Sequence, residues 1–395
     1  MLTLTRDEAR RALVAHLALD RPLGKGPAGI RGVLTRLRCI QLDPLDVIGT
    51  NADLVLLARV DGIMRGDVWR QLFPRHAFEH FAKERCILPA AAFPQYRVHG
   101  HRAQTPWWSH GERERRVPAA IVEAVLAEVR ERGPVTAAQL QNHGQVEALD
   151  WAGWMGTSRA TTMALEILWT RCEVVVAGRT DSGAKLYASP DQALGAFATV
   201  APNEPFEPWA VAERVHAAGL LTRAGGGSLW SMLRDVRKSP IVDDLIERGT
   251  VQELTIEGSP RRYLAPPDLL ARKPRLDDRV RILGPLDPLL WDRDLVRHLF
   301  DFEYVWEVYK PESQRRWGWY VCPLLFRGSL VGRIDARIEH GALVVKKLWI
   351  EGEVELVSIV TALERHALAC GVSKVRLPRK YQRLSRSASA ADSRA

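Results

Sequence analysis

No apolar stretch of this 395-residue sequence approaches the roughly 20 consecutive residues that a membrane-spanning helix needs. The N-terminus becomes charged at Arg6-Asp7-Glu8 and has no apolar segment of the kind that secretory signals carry. Both absences argue against a membrane protein and against a signal-directed secreted one. With 46% hydrophobic and 26% charged residues, the composition is that of a globular protein, and we expect a soluble protein of the cytoplasm.

Cysteine is scarce and widely spaced. The sequence has no Cys-x-x-Cys pair and no Cys/His cluster with metal-site spacing, and the acidic residues around Asp277, Asp278 and Asp287 do not form a metal site either. We therefore expect no bound metal and no cofactor. In the cytoplasm thiols stay reduced, and we expect these five to be reduced and mostly buried: Cys39, Cys86, Cys172, Cys322 and Cys370.

Acidic residues are outnumbered by basic ones. The chain has 47 Asp and Glu against 56 Lys and Arg, which gives a net charge of +9 and a pI near 9.5. An excess of cations suits a polyanionic partner, because each phosphate that Arg or Lys neutralises releases counterions. The excess is spread over a long chain, so it favours a nucleic-acid partner without identifying one.

One stretch of the chain has the order of elements of a winged helix, a variant of the helix-turn-helix. We predict a helix over residues 118–130 that ends at Gly133, a short helix that starts at residues 134–136, and a third helix over residues 157–171. A strand over residues 172–177 and a return strand over residues 185–187 then form a hairpin.

A second stretch repeats this order. Its first helix begins near Pro208 and runs through Ala218, its third helix covers residues 240–248, and its hairpin covers residues 251–265. The segments that follow the two hairpins match at an offset of about 77 residues. They read Leu186-Tyr-Ala-Ser-Pro190-Asp191 and Tyr263-Leu-Ala-Pro-Pro267-Asp268. The repetition predicts two winged helices in tandem.

The two ends of the chain differ from this repeat. Thr5 and Glu8 have the spacing of a capping box for a first helix, and residues 30–38 predict a second one. After Arg279 the pattern changes to short strands joined by turns, typical of a meander or small barrel. The predicted strands cover residues 304–309, 318–325, 330–337 and 342–350, and a helix over residues 353–369 packs on them.

The fold class that follows is α+β, with tandem winged-helix domains followed by a small C-terminal β-barrel-like module. We predict an N-terminal helical domain, a degenerate winged helix, over residues 1–116. Winged helices follow over residues 117–200 and 201–272, then the β module with its helix over residues 273–380. Residues 381–395, rich in Ser, Ala and Arg, are expected to be a disordered tail.

Several motifs in this sequence resemble those of a single enzyme family. They are Ile40-Gln-Leu-Asp-Pro-Leu-Asp-Val-Ile48, Phe78-Glu-His80 with Leu88-Pro89, Leu283-Gly-Pro-Leu-Asp-Pro-Leu-Leu-Trp-Asp-Arg293, Arg316-Trp-Gly-Trp-Tyr320 and Leu330-Val-Gly-Arg-Ile-Asp335. Together they resemble the bacterial AlkZ-like winged-helix DNA glycosylases, over roughly residues 5–380. The resemblance implies an enzyme of DNA repair that excises alkylated bases from double-stranded DNA and unhooks interstrand crosslinks. We expect it to act as a monomer.

The catalytic signature of that family is a Gln, an apolar residue, and then Gln or Asp. Here it is Gln41-Leu42-Asp43, and the version with Asp resembles the YcaQ-type, crosslink-unhooking branch. One departure is visible: after Phe78-Glu79 the usual aromatic pattern is replaced by His80-Phe81.

The chemistry of base excision explains why these residue types suit the reaction. Alkylation at N7 or N3 makes a purine cationic, so the base leaves without an acid, and the sugar passes through an oxocarbenium-like cation. A carboxylate near C1′ stabilises that cation and orients or deprotonates the attacking water. We assign that role to Asp43, and Gln41, whose amide both donates and accepts, holds the water. No lysine adjoins the motif, so we expect a monofunctional hydrolase that leaves an abasic site.

Alternatives remain open at this stage. Asp-Pro is a routine turn signal, so Asp43 could simply cap a turn before Pro44 while Gln41 decorates a strand edge. Tandem winged helices are also typical of non-enzymatic DNA-binding transcriptional regulators, and fold does not fix function. A metal-dependent nuclease is a further rival, although no carboxylate cluster has a suitable spacing.

The sequence also offers candidate DNA contacts. Arg97 and Arg102 lie in a stretch that interleaves basic and aromatic residues, a composition found both in DNA-binding segments and in solvated linkers. Arg159 lies near the start of the predicted third helix, where a DNA-reading winged helix meets phosphates. Arg315 and Arg316 lie in the β module. They either contact DNA or belong to exposed turns.

Overall fold

The computed structural model describes residues 1–100, 110–148, 156–224 and 226–382. The chain divides into two compact units. The first contains residues 1–68, 214–229 and the chain from residue 244 onward, and the second contains residues 69–213 and 230–243. No helix in the described part of the chain is both long enough and apolar enough to cross a membrane.

The helices, in chain order, are α1 (Arg6–His16), α2 (Gly26–Leu37), α3 (Asn51–Leu57), α4 (Asp67–Leu72), α5 (Phe93–Gly100), α6 (His110–Arg116), α7 (Ala119–Arg132), α8 (Ala160–Thr170), α9 (Pro190–Leu194), α10 (Phe206–Ala218), α11 (Gly227–Trp230), α12 (Ile241–Glu247), α13 (Arg293–Phe300) and α14 (Leu356–Ala369). The strands are β1 (Leu2–Leu4), β2 (Gly24–Lys25), β3 (Ile40–Gln41), β4 (Val60–Asp61), β5 (Ala77–Phe81), β6 (Arg85–Pro89), β7 (Val135–Thr136), β8 (Gln145–Glu147), β9 (Thr157–Arg159), β10 (Val175–Arg179), β11 (Lys185–Ala188), β12 (Leu221–Thr222), β13 (Gln252–Ile256), β14 (Arg262–Ala265), β15 (Arg281–Ile282), β16 (Val321–Phe326), β17 (Ser329–Glu339), β18 (Ala342–Ile350) and β19 (Lys374–Arg376).

The first helix begins as its sequence predicts. The Thr5 hydroxyl accepts a hydrogen bond from the Glu8 N–H at 3.1 Å, and the Glu8 carboxylate accepts one from the Thr5 N–H at 2.9 Å. This reciprocal capping box satisfies two backbone donors at the helix start. α2 begins at Gly26, earlier than predicted, with proline in its first turn, a position that tolerates proline because the N–H there has no helical partner.

The predicted hairpin over residues 251–265 is present as β13 and β14. It belongs to a four-stranded sheet in the order β1-β13-β14-β12. β1 pairs in parallel with β13, with Leu2 opposite Leu254 and Leu4 opposite Ile256. The sequence did not predict β1, because three residues show no periodicity of their own and the partner strand is about 250 residues away.

A second sheet forms the C-terminal part of the first unit. Its strand order is β15-β16-β17-β18-β19, antiparallel except for the parallel pair β18–β19. The predicted meander and the helix that follows it are therefore present. The core of this part contains the buried residues Tyr320, Cys322, Ile334, Leu343 and Leu363.

The strand predicted over residues 304–309 is wrong. This stretch has no strand pairing, although its side chains alternate: Tyr304 is buried, Val305 is exposed and Glu307 is buried. The alternation arises from loop contacts. Tyr304 donates its hydroxyl to the Val321 carbonyl at 2.8 Å, and Glu307 accepts the N–H groups of a neighbouring loop.

In the second unit, α7 ends at Gly133 as predicted, but two other predictions are corrected. The short helix from residue 134 is replaced by β7 and a turn, because Val135 and Thr136 extend the β10–β11 hairpin as its third strand. The third helix begins at Ala160, later than predicted, because residues 157–159 form β9 and pair with β8. The β-branched residues Val135, Thr136 and Thr157 favour strands.

His80, where the sequence departs from the usual aromatic pattern, is buried in the second unit. The His80 ring stacks on Trp169 with centroids 4.9 Å apart, and its Nε2 lies 3.1 Å from the Thr170 carbonyl. Burial lowers the pKa of His80 to about 4, so the imidazole is neutral at physiological pH. The substitution therefore changes the core between the β5–β6 hairpin and α8 rather than the surface.

Two further expectations concern the cysteines and the start of the predicted tail. The five cysteines are free, and all except the partly exposed Cys370 are buried, in agreement with the prediction of reduced, mostly buried thiols. Tyr381, at the start of the predicted tail, is buried and donates its hydroxyl to the Leu348 carbonyl at 3.3 Å. Residues 383–395 lie outside the described residues.

A buried ion pair joins the end of α3 to the Gly284-Pro-Leu-Asp287 motif. Both side chains are fully buried, and the Arg59 guanidinium donates to the two carboxylate oxygens of Asp287 at 2.7 and 2.9 Å. Arg59 also donates to the carbonyls of Leu17 and Val55, and Asp287 accepts from the Leu289 N–H. All of these donors and acceptors are thereby satisfied around one pair of charges.

Asp287→Ala leaves the Arg59 guanidinium buried without its carboxylate. We expect the free energy of unfolding to fall by about 3–5 kcal/mol, measured by urea denaturation. The matched control is Asp278→Asn, because Asp278 pairs with Arg327 on the surface, where ion pairs contribute little. A denaturation midpoint for Asp287→Ala equal to that of the control would contradict this account.

Candidate active site

Gln41 and Asp43 lie where β3 gives way to a loop in the first unit. Gln41 is the last residue of β3 and is buried, whereas Asp43 is partly exposed. Pro44 follows directly and cannot continue a strand ladder. The motif therefore has a fixed, buried end at Gln41 and an accessible end at Asp43.

One carboxylate oxygen of Asp43 is engaged in a turn. Its Oδ1 accepts the Leu45 N–H at 2.9 Å across Pro44, so the turn role that Asp-Pro suggests is real. Among the described residues Asp43 has no other hydrogen bond and no ion pair. Burial raises the pKa of Asp43, and the Leu45 N–H opposes that rise only in part. Asp43 is thus a partly desolvated carboxylate with one oxygen open to a ligand.

Two buried polar atoms near Asp43 lack partners within the described part of the chain. They are Oε1 of Gln41 and the hydroxyl of Tyr320. Burial, followed by the charges of Cys322 and Asp43, raises the pKa of Tyr320, so its hydroxyl stays protonated. Buried polar atoms without partners are rare in folded proteins. One of these two belongs to a residue two positions before Asp43 and the other feels the charge of Asp43, which suits a site that receives a polar ligand.

The loop after Asp43 is held against the C-terminal sheet and α14. The Val47 carbonyl accepts the Ile338 N–H at 3.0 Å, and the Ile48 carbonyl lies 2.6 Å from His366 Nε2. A carbonyl can only accept, so His366 Nε2 carries the proton. Burial lowers the pKa of His366 to about 4, so the ring donates as a neutral imidazole.

Asn51, the first residue of α3, fixes the backbone of Gln41. Its Nδ2 donates to the Gln41 carbonyl at 2.8 Å, and its Oδ1 accepts the Leu286 N–H at 3.1 Å. These two partners define the orientation of the amide, since each can bond to only one end of it. Asn51 is completely buried. Gly284 packs against it so closely that a Cβ at that position would lie 2.5 Å from Asn51 Oδ1.

The predicted DNA contacts have different surroundings. Arg315 and Arg316 lie in the same unit as Gln41: Arg315 donates to the Lys310 carbonyl at 2.7 Å, and Arg316 pairs with Glu303 at 2.8 Å. In the second unit, Arg97 donates to the carbonyls of residues 199 and 200, and Arg159 ends β9 with a partly exposed side chain. Arg102 lies outside the described residues.

Sequence reasoning missed Asn51 and Glu307. Asn51 gave only the weak signal of a polar residue at a helix start, and its partners lie 10 and 235 residues away. Burial would raise the pKa of Glu307, but the N–H of Trp317, the ammonium of Lys310 and the N–H of Arg316 together lower it to about 2. Glu307 thereby orders the loop that carries Arg316.

Comparison with known proteins gives concordant findings. A model of the family described as DNA glycosylase AlkZ-like matches residues 34–372, which is most of the chain and includes the Gln41-Leu42-Asp43 motif. Among solved structures, the DNA glycosylase AlkZ of Streptomyces sahachiroi is similar in fold, with a TM-score of 0.60 and 18% identity. That match covers 96% of this chain and 100% of the other. The fold is thus a mixed α+β fold similar to that of AlkZ.

The family assignment rests on the sequence match over most of the chain, and the structural likeness agrees with it. The chain belongs to the AlkZ-like DNA glycosylases, hydrolases of N-glycosidic bonds that act in DNA repair.

Proposed function

We propose that this chain hydrolyses the N-glycosidic bond of alkylated purines in duplex DNA, including purines held in interstrand crosslinks, and that it acts as a monomer. The observation that carries the proposal is the state of Asp43. Its carboxylate is partly desolvated, one of its oxygens is open, and the buried amide oxygen of Gln41 two residues away has no partner among the described residues. A carboxylate in these surroundings suits the stabilisation of a sugar cation better than the decoration of a turn.

The proposed reaction is a substitution at C1′ of the damaged nucleotide. The C1′–N bond breaks and its electron pair leaves with the base, which was cationic and departs neutral. The ionised Asp43 carboxylate stabilises the cation that develops on the sugar. Gln41 Oε1 accepts a hydrogen bond from the attacking water, whose oxygen bonds to C1′. Asp43 takes the proton that the water loses and returns it to solvent. The product is an abasic site.

The proposal includes the interpretation of the fold as tandem winged helices with the domain boundaries given above. Two observations support it. In residues 117–200, helices α7 and α8 precede the β10–β11 hairpin, and in residues 201–272, helices α10 and α12 precede the β13–β14 hairpin. We infer that Arg159, Arg315 and Arg316 contact the duplex, along with Arg97 and Arg102.

Asp43→Asn tests the proposed role with almost no change of shape. We expect the single-turnover rate of excision from an N7-methylguanine duplex to fall about a hundred- to thousand-fold, while affinity for undamaged duplex is unchanged. The wild-type protein should also release the crosslink from a nitrogen-mustard-crosslinked duplex. Strands should break only after alkali, because the proposed hydrolysis leaves an abasic site.

Asp46→Asn is the matched control. Asp46 lies three residues further along the same loop, is exposed and pairs with Arg65, so its amide variant should excise at the wild-type rate. Wild-type activity in Asp43→Asn would rule out the assignment. Duplex binding by the wild type without any base release would favour the transcriptional regulator instead.

The raised pKa of Asp43 predicts the pH dependence of excision. Only the ionised carboxylate stabilises the sugar cation, so the rate falls as pH drops through the pKa of Asp43. Because burial raises that pKa above the ordinary value of 3.8, we expect the acidic limb of the profile to have its midpoint above 3.8. Single-turnover rates on an N7-methylguanine duplex between pH 4 and 7 measure it. A rate that is constant down to pH 4 would assign the essential carboxylate elsewhere.

A further inference from the structure

A cleft on the first unit is lined by cations, and none of the residues assigned to the reaction is among its lining residues. Its walls are residues 20–23, between α1 and β2, and residues 271–275, which precede β15. It encloses about 490 Å³ and is open to solvent. We call it the basic cleft. Its charged lining residues are Asp20, Arg21, Arg272, Lys273 and Arg275.

The two walls of the basic cleft are bonded to each other. Asp20 accepts the Arg275 N–H on its carboxylate at 3.0 Å and the Asp277 N–H on its carbonyl at 3.0 Å. The Leu23 N–H donates to the Arg59 carbonyl at 2.8 Å, next to the buried Arg59–Asp287 pair. The backbone that carries the cations is therefore held by hydrogen bonds within the protein itself.

The cations of the basic cleft are exposed, and no carboxylate of the described residues lies within ion-pair distance of them. The next arginines along the chain differ: Arg279 pairs with Asp61 at 2.6 Å, and Arg281 pairs with Asp277 at 2.6 Å. Asp20, the one acid in the lining, is buried, and its carboxylate accepts a backbone N–H. The protein thus leaves the cleft with an excess of positive charge.

Like charges also repel each other behind the wall of the cleft. Arg36 is buried there and donates to the His16 carbonyl at 2.6 Å rather than to a carboxylate. Burial, and then the charge of Arg272, lowers the pKa of Arg36 to about 10, and Asp268 and Asp20 oppose this only in part. An anion in the cleft would relieve this repulsion.

We propose that the basic cleft binds the phosphodiester backbone of duplex DNA. The inference rests on the proposed function, because it takes DNA as the substrate. Guanidinium groups suit this ligand, since they bind phosphate oxygens in a bidentate manner. Contacts of this kind position a protein on a duplex without reading its sequence. The basic cleft would add such contacts to those of Arg159, Arg315 and Arg316.

The test is the salt dependence of binding to an undamaged duplex. In the cleft variant, Arg21, Arg272, Lys273 and Arg275 are all changed to Gln. The slope of log K against log salt should become shallower by about 0.9 for each phosphate that the variant no longer neutralises. We expect a decrease of about 2 to 3.6 for the four changes, with an unchanged melting temperature because these side chains are exposed.

The control removes the same net charge from paired arginines of the same unit. It carries Arg6→Gln, Arg262→Gln, Arg297→Gln and Arg327→Gln, each of which has a carboxylate partner. A cleft variant with the wild-type slope, or with the slope of the control, would overturn the proposal. Excision is measured separately. If the wild type binds DNA through the basic cleft but releases no base, that result would contradict the proposed function and still support the proposal for the basic cleft.

A different observation carries a second inference: we infer that Asn51 is a positioning residue for Gln41. Its amide holds the Gln41 carbonyl, and Gly284 limits where that amide can lie. Gln41 Oε1 has no partner of its own among the described residues, and the hydrogen bond from Asn51 orients the backbone from which the Gln41 side chain extends. The inference rests on the proposed function of Gln41.

Two variants reach the Asn51 amide from opposite sides. Asn51→Asp keeps the acceptor for the Leu286 N–H but removes the donor to Gln41, and Gly284→Ala places a methyl group against Oδ1. We expect the single-turnover rate of excision to fall on the order of 10- to 100-fold in both, as small displacements of reacting groups do, with unchanged affinity for undamaged duplex. Gly111→Ala is the control, because among the described residues a Cβ there meets nothing within 4 Å beyond its own helix and its chain neighbours.

The readout separates positioning from stability. A purely structural role would lower the melting temperature and the active fraction, but the folded fraction would excise at the wild-type rate. That result in both variants, measured on protein isolated as the folded fraction by gel filtration, would overturn the role of Asn51. A wild type without excision would instead overturn the proposed function.

Discussion

The side-chain amide of Asn51 holds together two stretches of chain that are far apart in sequence. It bonds to the Gln41 carbonyl on one side and to the Leu286 N–H on the other, 235 residues away. The buried Arg59–Asp287 pair joins the same two regions a few residues further along. Because Gln41, Asn51, Arg59 and Asp287 are buried, their polar groups do not exchange these partners for water without a loss of stability. The short strand that ends at Gln41 is therefore kept in place by distant parts of the chain.

Two carboxylates in the first unit show how the surroundings assign different roles to one chemical group. Glu307 accepts three backbone N–H groups and an ammonium, so its pKa falls to about 2 although it is buried. Asp43 accepts a single N–H, and burial raises its pKa. The first carboxylate is satisfied and orders a loop. The second has few hydrogen-bond partners, so its charge is less satisfied by the protein, as the role that we propose for it requires.

Local signals in the sequence predicted what local chemistry determines. The capping box of Thr5 and Glu8, the end of α7 at Gly133 and the β13–β14 hairpin all follow from neighbouring residues. The errors arise where tertiary contacts decide. Val135 and Thr136 become a strand because β11 offers a partner, and residues 304–309 alternate without pairing because Glu307 bonds to a loop. Gln41 and Asp43 were recognisable only through the family motif. Asn51 was recognisable only once the fold showed its contacts.

The parallel pairing of β1 with β13 and the bond between Asn51 and Leu286 also order events in time. During synthesis, the segment that carries Gln41 leaves the ribosome long before residues 254–256 and 286 exist. His366, which holds the Ile48 carbonyl, is made later still. Contacts over such separations form slowly and only when both partners are present. A nascent or prematurely terminated chain thus carries the proposed catalytic motif without the contacts that hold it, and the motif is set in position only when almost the whole polypeptide has been made.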